Sequence, residues 1–353
     1  FERWYKIMNG FIHPSALIAS TAKVSNNVNV GPYSVIGKNV KLGKNVKIHS
    51  HVVIDGYTSI GENTEIYPFA TLGLSPQHSK YEGEPSKLII GKNNIIREHV
   101  TMHTGTKLDA METKVGNNSM FLVGVHIAHD CVIGDNVIFA NNVGLGGHVK
   151  VGNNVYLGAY AAIHQFVRIG SFSIVGGQTG IVSDIIPYGS AAGPRGSLNG
   201  LNTVGLKRHG FKKNEINNLK EAYNMIFIGD DVFKNRISFA KKKFKNNEVV
   251  NKLINFIEND SDRPLCHPKH WFFIMNRIAI IAAGGKIPKL IAERAKKEGE
   301  NPFIVGIEGQ TNCEFSNFDY LSFPPGKLAL ILKNIIEKKC DRVIFSGSFI
   351  RPK

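Results

Sequence analysis

Aliphatic side chains recur at every sixth position over the first half of the chain. The first run comprises Ile12, Ile18, Val24, Val30, Ile36, Leu42, Ile48, Ile54, Ile60, Ile66 and Leu72. After a polar interruption the spacing returns from position 90 to position 102, and after a second interruption it runs from 115 to 181. No helix has a period of six, and self-similarity at a fixed interval is typical of a repeat architecture.

Each group of six residues predicts one short strand followed by one corner. Three groups complete a triangular coil, and stacked coils bring successive strands to about 4.8 Å from one another. The aliphatic residue points inward, and the glycine that often follows it allows a tight corner. These glycines are Gly31, Gly37, Gly43, Gly61, Gly91, Gly116, Gly134, Gly152, Gly158, Gly170 and Gly176. We therefore predict a parallel β-helix over residues 9–187, whose handedness the period does not set.

The rest of the chain has a different pattern. The two interruptions, residues 73–89 and 104–114, are predicted to leave the helix as loops, where functional sites tend to lie. Residues 188–262 show apolar spacing of three to four and predict a helical domain. Residues 1–8 are expected to be a leader outside the fold, residues 263–274 a linker, and residues 275–353 a partial Rossmann-like α/β domain that begins with a βαβ unit.

Composition narrows the class of protein. The four cysteines lack CxxC spacing, which argues against a disulfide framework or a zinc finger and favours a reducing cytoplasm. No apolar run approaches the roughly 20 residues that span a bilayer. The formal charge of +15 predicts an acidic partner, and no nucleic-acid-binding motif accompanies that charge.

Four histidines are predicted to share one edge of the β-helix. Residues eighteen apart stack in successive coils, and positions 127, 145 and 163 form such a set. Beside that set lie His126, His129, His148 and His164, together with Gly147. Imidazoles on such an edge bind zinc in trimeric β-helix carbonic anhydrases, and an imidazole also suits a general base for a sugar hydroxyl. A non-catalytic β-helix scaffold is a third alternative.

Longer segments resemble one enzyme family. The segment FLVGVHIAHDCVIGDNVIFANNVGLGGHVKVG, followed by AAIHQFVRIG and GLKRHGF, resembles the UDP-N-acetylglucosamine acyltransferases from about residue 9 to about residue 262, with both loops included. The resemblance implies a left-handed parallel β-helix, a cytoplasmic homotrimer, and transfer of a 3-hydroxyacyl chain from acyl carrier protein to the 3-position of UDP-N-acetylglucosamine. This reaction is the first step of lipid A synthesis. It implies no metal and no tightly bound cofactor, because phosphopantetheine arrives on the carrier.

The same resemblance implies roles for single residues. His129 would be the general base, Asp130 would orient it, and the Gly147 N–H would stabilise the oxyanion. Positioning of the acyl chain and sugar would fall to His126, His148, His164 and Gln165. Contacts to phosphates would fall to Lys80, Asn202 and Arg208. Gly177 occupies the place of the acyl-length ruler and implies a long chain such as 3-hydroxymyristoyl; the alternative is a corner glycine.

Three positions depart from the family pattern. His78 replaces an Asp, Val204 replaces an acidic residue, and His209 replaces an Arg. The first two leave open whether the acceptor is the 3-hydroxyl or a 3-amino analogue. Two basic stretches, 207–213 and 241–245, would steer the acidic carrier or form solvated helix faces.

A second resemblance begins near Met275. The segment MNRIAIIAAGGKIPKLIAERAKKEGENPFIVGIEG, with PPGKLALILKNIIEKKCDRVIFSGSFIRPK, resembles the N-terminal domain of the UDP-2,3-diacylglucosamine pyrophosphatases. Its AAGG turn lacks the GxGxxG pattern of dinucleotide sites. That family's hydrolytic residues lie largely in a C-terminal domain, so we expect no pyrophosphatase activity. Met8 and Met275 each begin a family-like segment, which indicates a fusion or neighbouring reading frames.

Overall fold

The structure is a computed structural model that describes residues 5–7, 10–228, 231–268, 277–338, 340 and 342–349. The chain divides into two compact units, Phe1–Pro268 and Lys269–Lys353. The first unit is a parallel β-helix followed by four helices. The predicted fold class, a left-handed parallel β-helix with a helical domain and a following α/β segment, is confirmed.

Three sheets form the sides of the prism. The first face comprises Tyr5–Ile7, Gly10–Ile12, Asn29–Val30, Lys47–Ile48, Glu65–Ile66, Ile95–Ile96, Met120–Phe121, Ile138–Phe139, Tyr156–Leu157, Ile174–Val175, Gly189–Ala192 and Ser197–Leu201. The second face comprises Leu17–Ile18, Val35–Ile36, Val53–Ile54, Thr71–Leu74, Thr101–His103, His126–Ile127, Gly144–Leu145, Ala162–Ile163 and Gly180–Ile181. The third face comprises Lys23–Val24, Lys41–Leu42, Tyr57–Ile60, Lys87–Ile90, Glu112–Val115, Val132–Ile133, Lys150–Val151 and Arg168–Ile169.

The second residue of a typical two-residue strand fills the interior. Ile36, Ile54 and Leu72 stack in register on the second face and are buried. The Phe121 and Phe139 rings meet inside the prism at 5.3 Å between centroids. Burial of each such side chain contributes roughly 1.5–3 kcal/mol, so the repeat itself builds the core.

The corners depend on asparagine more than the sequence predicts. One corner column contains Asn27, Asn45, Asn63, Asn93 and Asn118, each with φ between 55° and 60°. Asparagine tolerates this left-handed conformation better than most residues. The side chains also form a ladder, in which each amide donates to the next Oδ1 at 2.9–3.1 Å. The ladder supplies a hydrogen bond between coils at every step.

The glycines after the inward residues have a different role from the expected one. None of the eleven predicted corner glycines has positive φ in the part of the chain that the structure describes. A Cβ at Gly31 would instead lie 2.7 Å from the carbonyl carbon of His49 in the next coil. Close stacking of the coils, and not the backbone conformation, therefore requires glycine at such positions.

Two boundaries differ from the predicted ones. Tyr5–Ile7 pairs antiparallel with Gly10–Ile12, so the expectation that residues 1–8 stand outside the fold is wrong for this strand. Residues 263–268, expected as linker, form bridges from Leu265 to Asp184 and from Pro268 to Leu198. Met8, Met275 and residues 269–274 of the expected linker lie outside the described residues.

The loops and helices follow the strands. The interruptions are loops over residues 75–86 and 104–111, shorter than predicted. The helices of the first unit are α1 (Thr203–Arg208), α2 (Lys213–Phe227), α3 (Phe233–Lys243) and α4 (Glu248–Glu258). Among the described residues, no helix combines the length and apolar character needed to cross a membrane.

A buried ion pair ties the end of the helical segment to the last coils. Arg168 Nε donates to Asp184 Oδ2 at 2.6 Å, and the Arg168 backbone N–H donates to the other carboxylate oxygen at 2.7 Å. Ser261 Oγ donates to the same carboxylate at 2.5 Å. The Arg168 guanidinium also lies over the Phe256 ring of α4 at 4.5 Å. These contacts fix residues 256–261 beside the third face.

The second unit is a small doubly wound domain. Its four parallel strands lie in the order Asp319–Phe323, Phe303–Ile307, Ile278–Ala282 and Arg342–Ser346. Helix α5 (Ile287–Lys297) and helix α6 (Leu328–Glu337) contribute to two separate apolar clusters, one on each face of the sheet.

We predict that Asp184→Ala lowers the free energy of unfolding of the first unit by about 3 kcal/mol, because it leaves Arg168 without its partner in a largely buried place. Urea denaturation followed by circular dichroism measures the change. Glu248→Ala, which breaks the exposed pair with Lys252, is the control and should change stability by less than about 1 kcal/mol. Equal effects of both substitutions would contradict the proposal that the Arg168–Asp184 ion pair holds residues 256–261 beside the third face.

Candidate active site

The candidate site lies at the corner between the second and third faces. Asp130, His148 and Phe166 occupy equivalent corner positions in three successive coils, with φ of 59°, 63° and 66°. The coil spacing therefore stacks their side chains in one column. The loops at residues 75–86 and 104–111 leave the prism next to this column and contribute His78, Thr106 and Asp109 to it.

His129 and Asp130 form a buried hydrogen-bonded pair. His129 Nδ1 lies 2.8 Å from Asp130 Oδ2. Thr106 donates twice to the same carboxylate, through its backbone N–H at 2.8 Å and its hydroxyl at 2.7 Å. Burial raises the pKa of Asp130, but the hydrogen bonds from His129 and Thr106 outweigh it and hold that pKa below its ordinary value. An ionised Asp130 then keeps the His129 proton on Nδ1, so Nε2 presents a lone pair.

Gly147 approaches His129 in the next coil. A Cβ at Gly147 would lie 2.7 Å from His129 Nε2, so no other residue fits without displacing the imidazole. The carbonyl of Gly147 accepts from the Phe166 N–H at 3.0 Å. Within the described chain, no backbone carbonyl accepts from the Gly147 N–H itself. His129 Nε2 and the backbone of Gly147 therefore lie in close contact.

His148 lies between two carboxylates. Its Nδ1 is 3.1 Å from Asp109 Oδ2, and its Nε2 is 3.8 Å from Asp130 Oδ2. The His148 ring stacks on Phe166 at 4.5 Å and meets His129 edge-on at 5.1 Å. Sequence reasoning missed Asp109; its position inside the second interruption, next to the histidine edge, is the signal that could have found it.

His126 lies in the same coil as His129, and His103 lies in the preceding coil. Thr101 Oγ1 lies 2.7 Å from His126 Nδ1, and the His103 and His126 rings are 5.0 Å apart. Burial, and then the neighbouring imidazoles, lower the pKa of His103 to about 4 and lower the pKa of His126 below its usual value. Both rings are therefore neutral at pH 7. His103 was missed because it directly follows the inward Met102, where the repeat is interrupted.

His164 and Gln165 are held by Arg263. Arg263 Nη2 lies 2.7 Å from His164 Nδ1, and Arg263 Nε donates to the Gln165 carbonyl at 2.9 Å. Arg263 was assigned to the linker, so sequence reasoning gave it no role.

A cleft of about 530 Å³ opens beside these residues. Its walls include His78, His129, His148, Lys150, Gln165 and Arg168, and residues 260–262 border it. The His78 ring meets the His129 ring edge-on at 5.0 Å. The neighbouring Lys80 is exposed, and its backbone N–H donates to His78 Nδ1 at 3.2 Å.

Three other predicted residues lie away from this cleft. Asn202 caps α1, where its side chain accepts from Gly205 N–H and donates to the Phe172 carbonyl. Arg208 is exposed in the last turn of α1. Gly177 is exposed at a corner, where a Cβ would lie 3.1 Å from the Ala159 carbonyl oxygen. The structure thus gathers His129, Asp130, Gly147 and His148 tightly and leaves Asn202, Arg208 and Gly177 outside the cleft lining.

The gathered groups suit two chemistries. An imidazole with a free Nε2, oriented by a carboxylate and beside an unpartnered N–H, suits proton abstraction with stabilisation of an oxyanion. His129, Asp130 and His148 also bring three metal-ligating atoms within 4.8 Å of one another.

Family models match three parts of the chain. The model of domain 2 of Udp N-acetylglucosamine O-acyltransferase matches residues 184–266. The bacterial transferase hexapeptide model matches residues 21–56 and 112–147. The model of the LpxI N-terminal domain matches residues 277–353.

Relatives that align over most of their own length carry the same enzyme name as the first of these models. The chain is 50% identical over 258 residues to the acyl-[acyl-carrier-protein]–UDP-N-acetylglucosamine O-acyltransferase of Rickettsia bellii, an alignment that covers 73% of this chain and 92% of the relative. It is 46% identical to the same enzyme of Caulobacter vibrioides, with 73% and 98% covered. The solved structure of LpxA from Acinetobacter baumannii has a TM-score of 0.71 and 42% identity, and covers 72% of this chain and 99% of that chain.

Proposed function

The chain belongs to the acyl-[acyl-carrier-protein]–UDP-N-acetylglucosamine O-acyltransferase family, and from this premise we propose that His129 is the general base of its acyl transfer. The protein transfers an acyl group from acyl carrier protein to UDP-N-acetylglucosamine in lipid A biosynthesis. One observation supports the proposed mechanism: His129 Nε2 and Gly147, which belong to adjacent coils, lie in close contact.

In the proposed reaction, His129 Nε2 takes the proton from the sugar 3-hydroxyl while that oxygen attacks the thioester carbonyl of a 3-hydroxyacyl carrier. The Gly147 N–H donates to the oxyanion that forms on the carbonyl oxygen. Collapse of the tetrahedral intermediate breaks the C–S bond, and the imidazolium returns its proton to the departing phosphopantetheine thiolate. Ionised Asp130 stabilises the imidazolium through the 2.8 Å hydrogen bond.

The proposed binding residues divide into two groups. His126, His148, His164 and Gln165 surround the base and would position acyl chain and sugar. Lys80 and Arg208 are exposed and would contact phosphates. Both amide atoms of the Asn202 side chain are already hydrogen-bonded. We therefore propose that Asn202 caps α1 and so positions Arg208, which lies in the last turn of that helix. No metal or tightly bound cofactor takes part.

We predict that His129→Ala lowers kcat by about 10²–10⁴-fold, the range typical of general bases. Gly147→Ala should also abolish most activity, because the added methyl group displaces the imidazole. Steady-state assays with UDP-N-acetylglucosamine measure both effects, and parallel assays with its 3-amino analogue test the proposed preference for the 3-hydroxyl.

His49→Ala is the matched control, because His49 pairs with Glu65 away from the cleft and should keep full activity. Undiminished transfer by His129→Ala would overturn the assignment of the base, and absence of transfer in both wild type and variant would favour a non-catalytic scaffold. Stoichiometric zinc, with activity lost on chelation, would favour a metal enzyme of the carbonic anhydrase type.

We also propose that Gly177 leaves the acyl groove open for a long chain such as 3-hydroxymyristoyl. Gly177→Met should shorten the preferred chain, because its side chain would fill the end of the groove. Competition among carriers that bear different 3-hydroxyacyl chains measures the preference. Gly177→Ala adds only the Cβ that meets the Ala159 carbonyl, so it controls for packing. An unchanged profile in Gly177→Met would assign Gly177 to the corner alone.

For acyl carrier protein, we propose docking at residues 207–213. In the stretch 241–245, Lys241 pairs with Glu258 and Lys243 pairs with Glu221, which reduces its net charge. Among the described residues, no carboxylate forms an ion pair with Lys207, Arg208, Lys212 or Lys213. The stretch at 207–213 therefore offers the stronger attraction to an acidic partner.

We predict that Lys212→Glu with Lys213→Glu raises the carrier's KM about tenfold at low salt and flattens its salt dependence, because steering is electrostatic. The triple reversal Lys241→Glu, Lys242→Glu and Lys243→Glu is the comparison and should raise KM less. A larger effect of the triple reversal would move the docking site to α3.

The three faces support a homotrimer. The first face carries a registered stripe of partly exposed apolar side chains, namely Ile95, Met120, Ile138, Tyr156 and Ile174. Near the site, the second face presents His126 and, above it, three small outward residues, Gly144, Ala162 and Gly180. The third face is basic, with Lys114, Lys150 and Arg168 outward.

The differences among the faces fit a closed ring. We propose that the first face of one subunit packs on the second face of the next, a head-to-tail contact that closes after three copies. The corner between these faces would then line the axis, where Tyr33, His51, Phe69 and His99 stack at 5.1 Å intervals. His126 and Gly144 would consequently face a neighbour. Within the described residues, Cys131, Cys266 and Cys313 are free thiols, which supports the proposed cytoplasmic location.

A further inference from the structure

The space enclosed by His129, Asp130 and His148 has the dimensions of a metal site. Asp130 Oδ2 lies 2.8 Å from His129 Nδ1 and 3.8 Å from His148 Nε2. Zinc bonds to imidazole nitrogen and carboxylate oxygen at about 2.0–2.2 Å in a tetrahedral arrangement, which places neighbouring ligand atoms roughly 3–3.5 Å apart. The ligand atoms of the three residues lie within 4.8 Å of one another, so side-chain adjustments that draw the wider pairs together would reach that spacing.

We propose that this triad is a zinc-binding site and that zinc is a reversible inhibitor of the transferase. The proposal concerns an inhibitory ion and not a cofactor. Its inhibitory part rests on the proposed function, because it requires His129 Nε2 to be the base.

The surroundings of His148 favour a bound cation. Asp109 Oδ2 lies 3.1 Å from His148 Nδ1, so the carboxylate holds the proton on Nδ1 and leaves Nε2 as a ligand. A carboxylate that accepts from the other ring nitrogen is the usual support of a metal-bound histidine. His148 Nε2 lies 3.8 Å from Asp130 Oδ2, so a cation between these two atoms would contact both of them.

The cleft gives an ion access and a fourth position. His129 and His148 line the cleft, whereas Asp130 lies buried behind them. An ion held by the three would keep one coordination position open towards the cleft. Two imidazole nitrogens and one carboxylate oxygen suit zinc, whereas magnesium prefers six oxygen ligands. The site should therefore discriminate against magnesium.

Zinc would inhibit by moving one proton. The His129 proton now lies on Nδ1, towards Asp130. A zinc ion bonded to Nδ1 takes that place, and the neutral imidazole carries its single proton on Nε2 instead. Nε2 then has no lone pair for the sugar hydroxyl, and Asp130 no longer orients the ring by a hydrogen bond.

The test uses the full chain after treatment with EDTA and dialysis. Isothermal titration calorimetry with ZnCl₂ and with MgCl₂ measures binding, and transfer assays measure activity at matched zinc concentrations. We expect one zinc ion to bind at each triad and no magnesium ion to bind there. Zinc should abolish acyl transfer, and EDTA should restore it. Asp109→Asn should raise the zinc Kd by about 10-fold, within the range found for outer-shell partners, and His148→Asn should raise it by about 100-fold or more because it removes a ligand.

His49→Gln is the control, because His49 and Glu65 form another imidazole–carboxylate pair at 3.0 Å. It should leave the Kd of the inhibitory site unchanged. Failure of the wild-type chain to bind zinc, or equal Kd values for wild type, Asp109→Asn and His148→Asn, would overturn the site. Zinc bound with these variant effects but without inhibition would overturn the proton shift. The zinc Kd is measured without substrate turnover. If His129 is not the base, only the transfer assay departs from expectation, whereas if the zinc site is absent, the binding measurement departs as well.

Discussion

The structure depends on one constraint, the hydrogen-bonded stacking of coils whose usual length is eighteen residues. Each backbone N–H on a face meets a carbonyl of the adjacent coil, as in the bonds from His126 to Val143 and from Gly144 to Ala161. Because the register is fixed by these bonds and by the inward aliphatic residue, a side chain's face within an uninterrupted run follows from its position modulo eighteen, and its height follows from the number of coils before it. A shift by one residue would expose the core on every face. The scaffold is therefore rigid where the chemistry requires fixed distances.

The candidate site uses this rigidity at a corner. His129 and Gly147 are far apart in sequence terms but belong to adjacent coils, so the imidazole and the bare main-chain N–H meet without any flexible element. The interruptions of the repeat add what stacking cannot supply. Thr106 and Asp109 come from one loop and set the proton positions on His129 and His148, whereas His78 comes from the other loop and contacts the His129 ring edge-on. The arrangement that suits a base also forms a pocket of ligand atoms, so catalysis and sensitivity to zinc have one structural origin.

The segment after the β-helix has a connecting role. Arg168, Asp184 and Ser261 join the last coils to the residues that follow α4, and Arg263 reaches back to His164 and Gln165. The helical segment therefore borders the cleft as well as carrying basic residues at 207–213. The second unit is a separate α/β domain with its own two apolar clusters. Its sequence matches the model of the LpxI N-terminal domain, and the candidate site consists of residues of the first unit.

The sequence by itself determined the β-helix, because a six-residue period is compatible with no other way of burying the aliphatic residues. It also determined the shared edge of His126, His129, Gly147 and His148, since stacking follows from spacing alone. Only the tertiary structure decided the role of the glycines, the strand at Tyr5–Ile7, and the contacts of Asp109, His103 and Arg263. These features depend on how loops and segments outside the repeat fold back against the prism, and no period relates their sequence positions to their places in space.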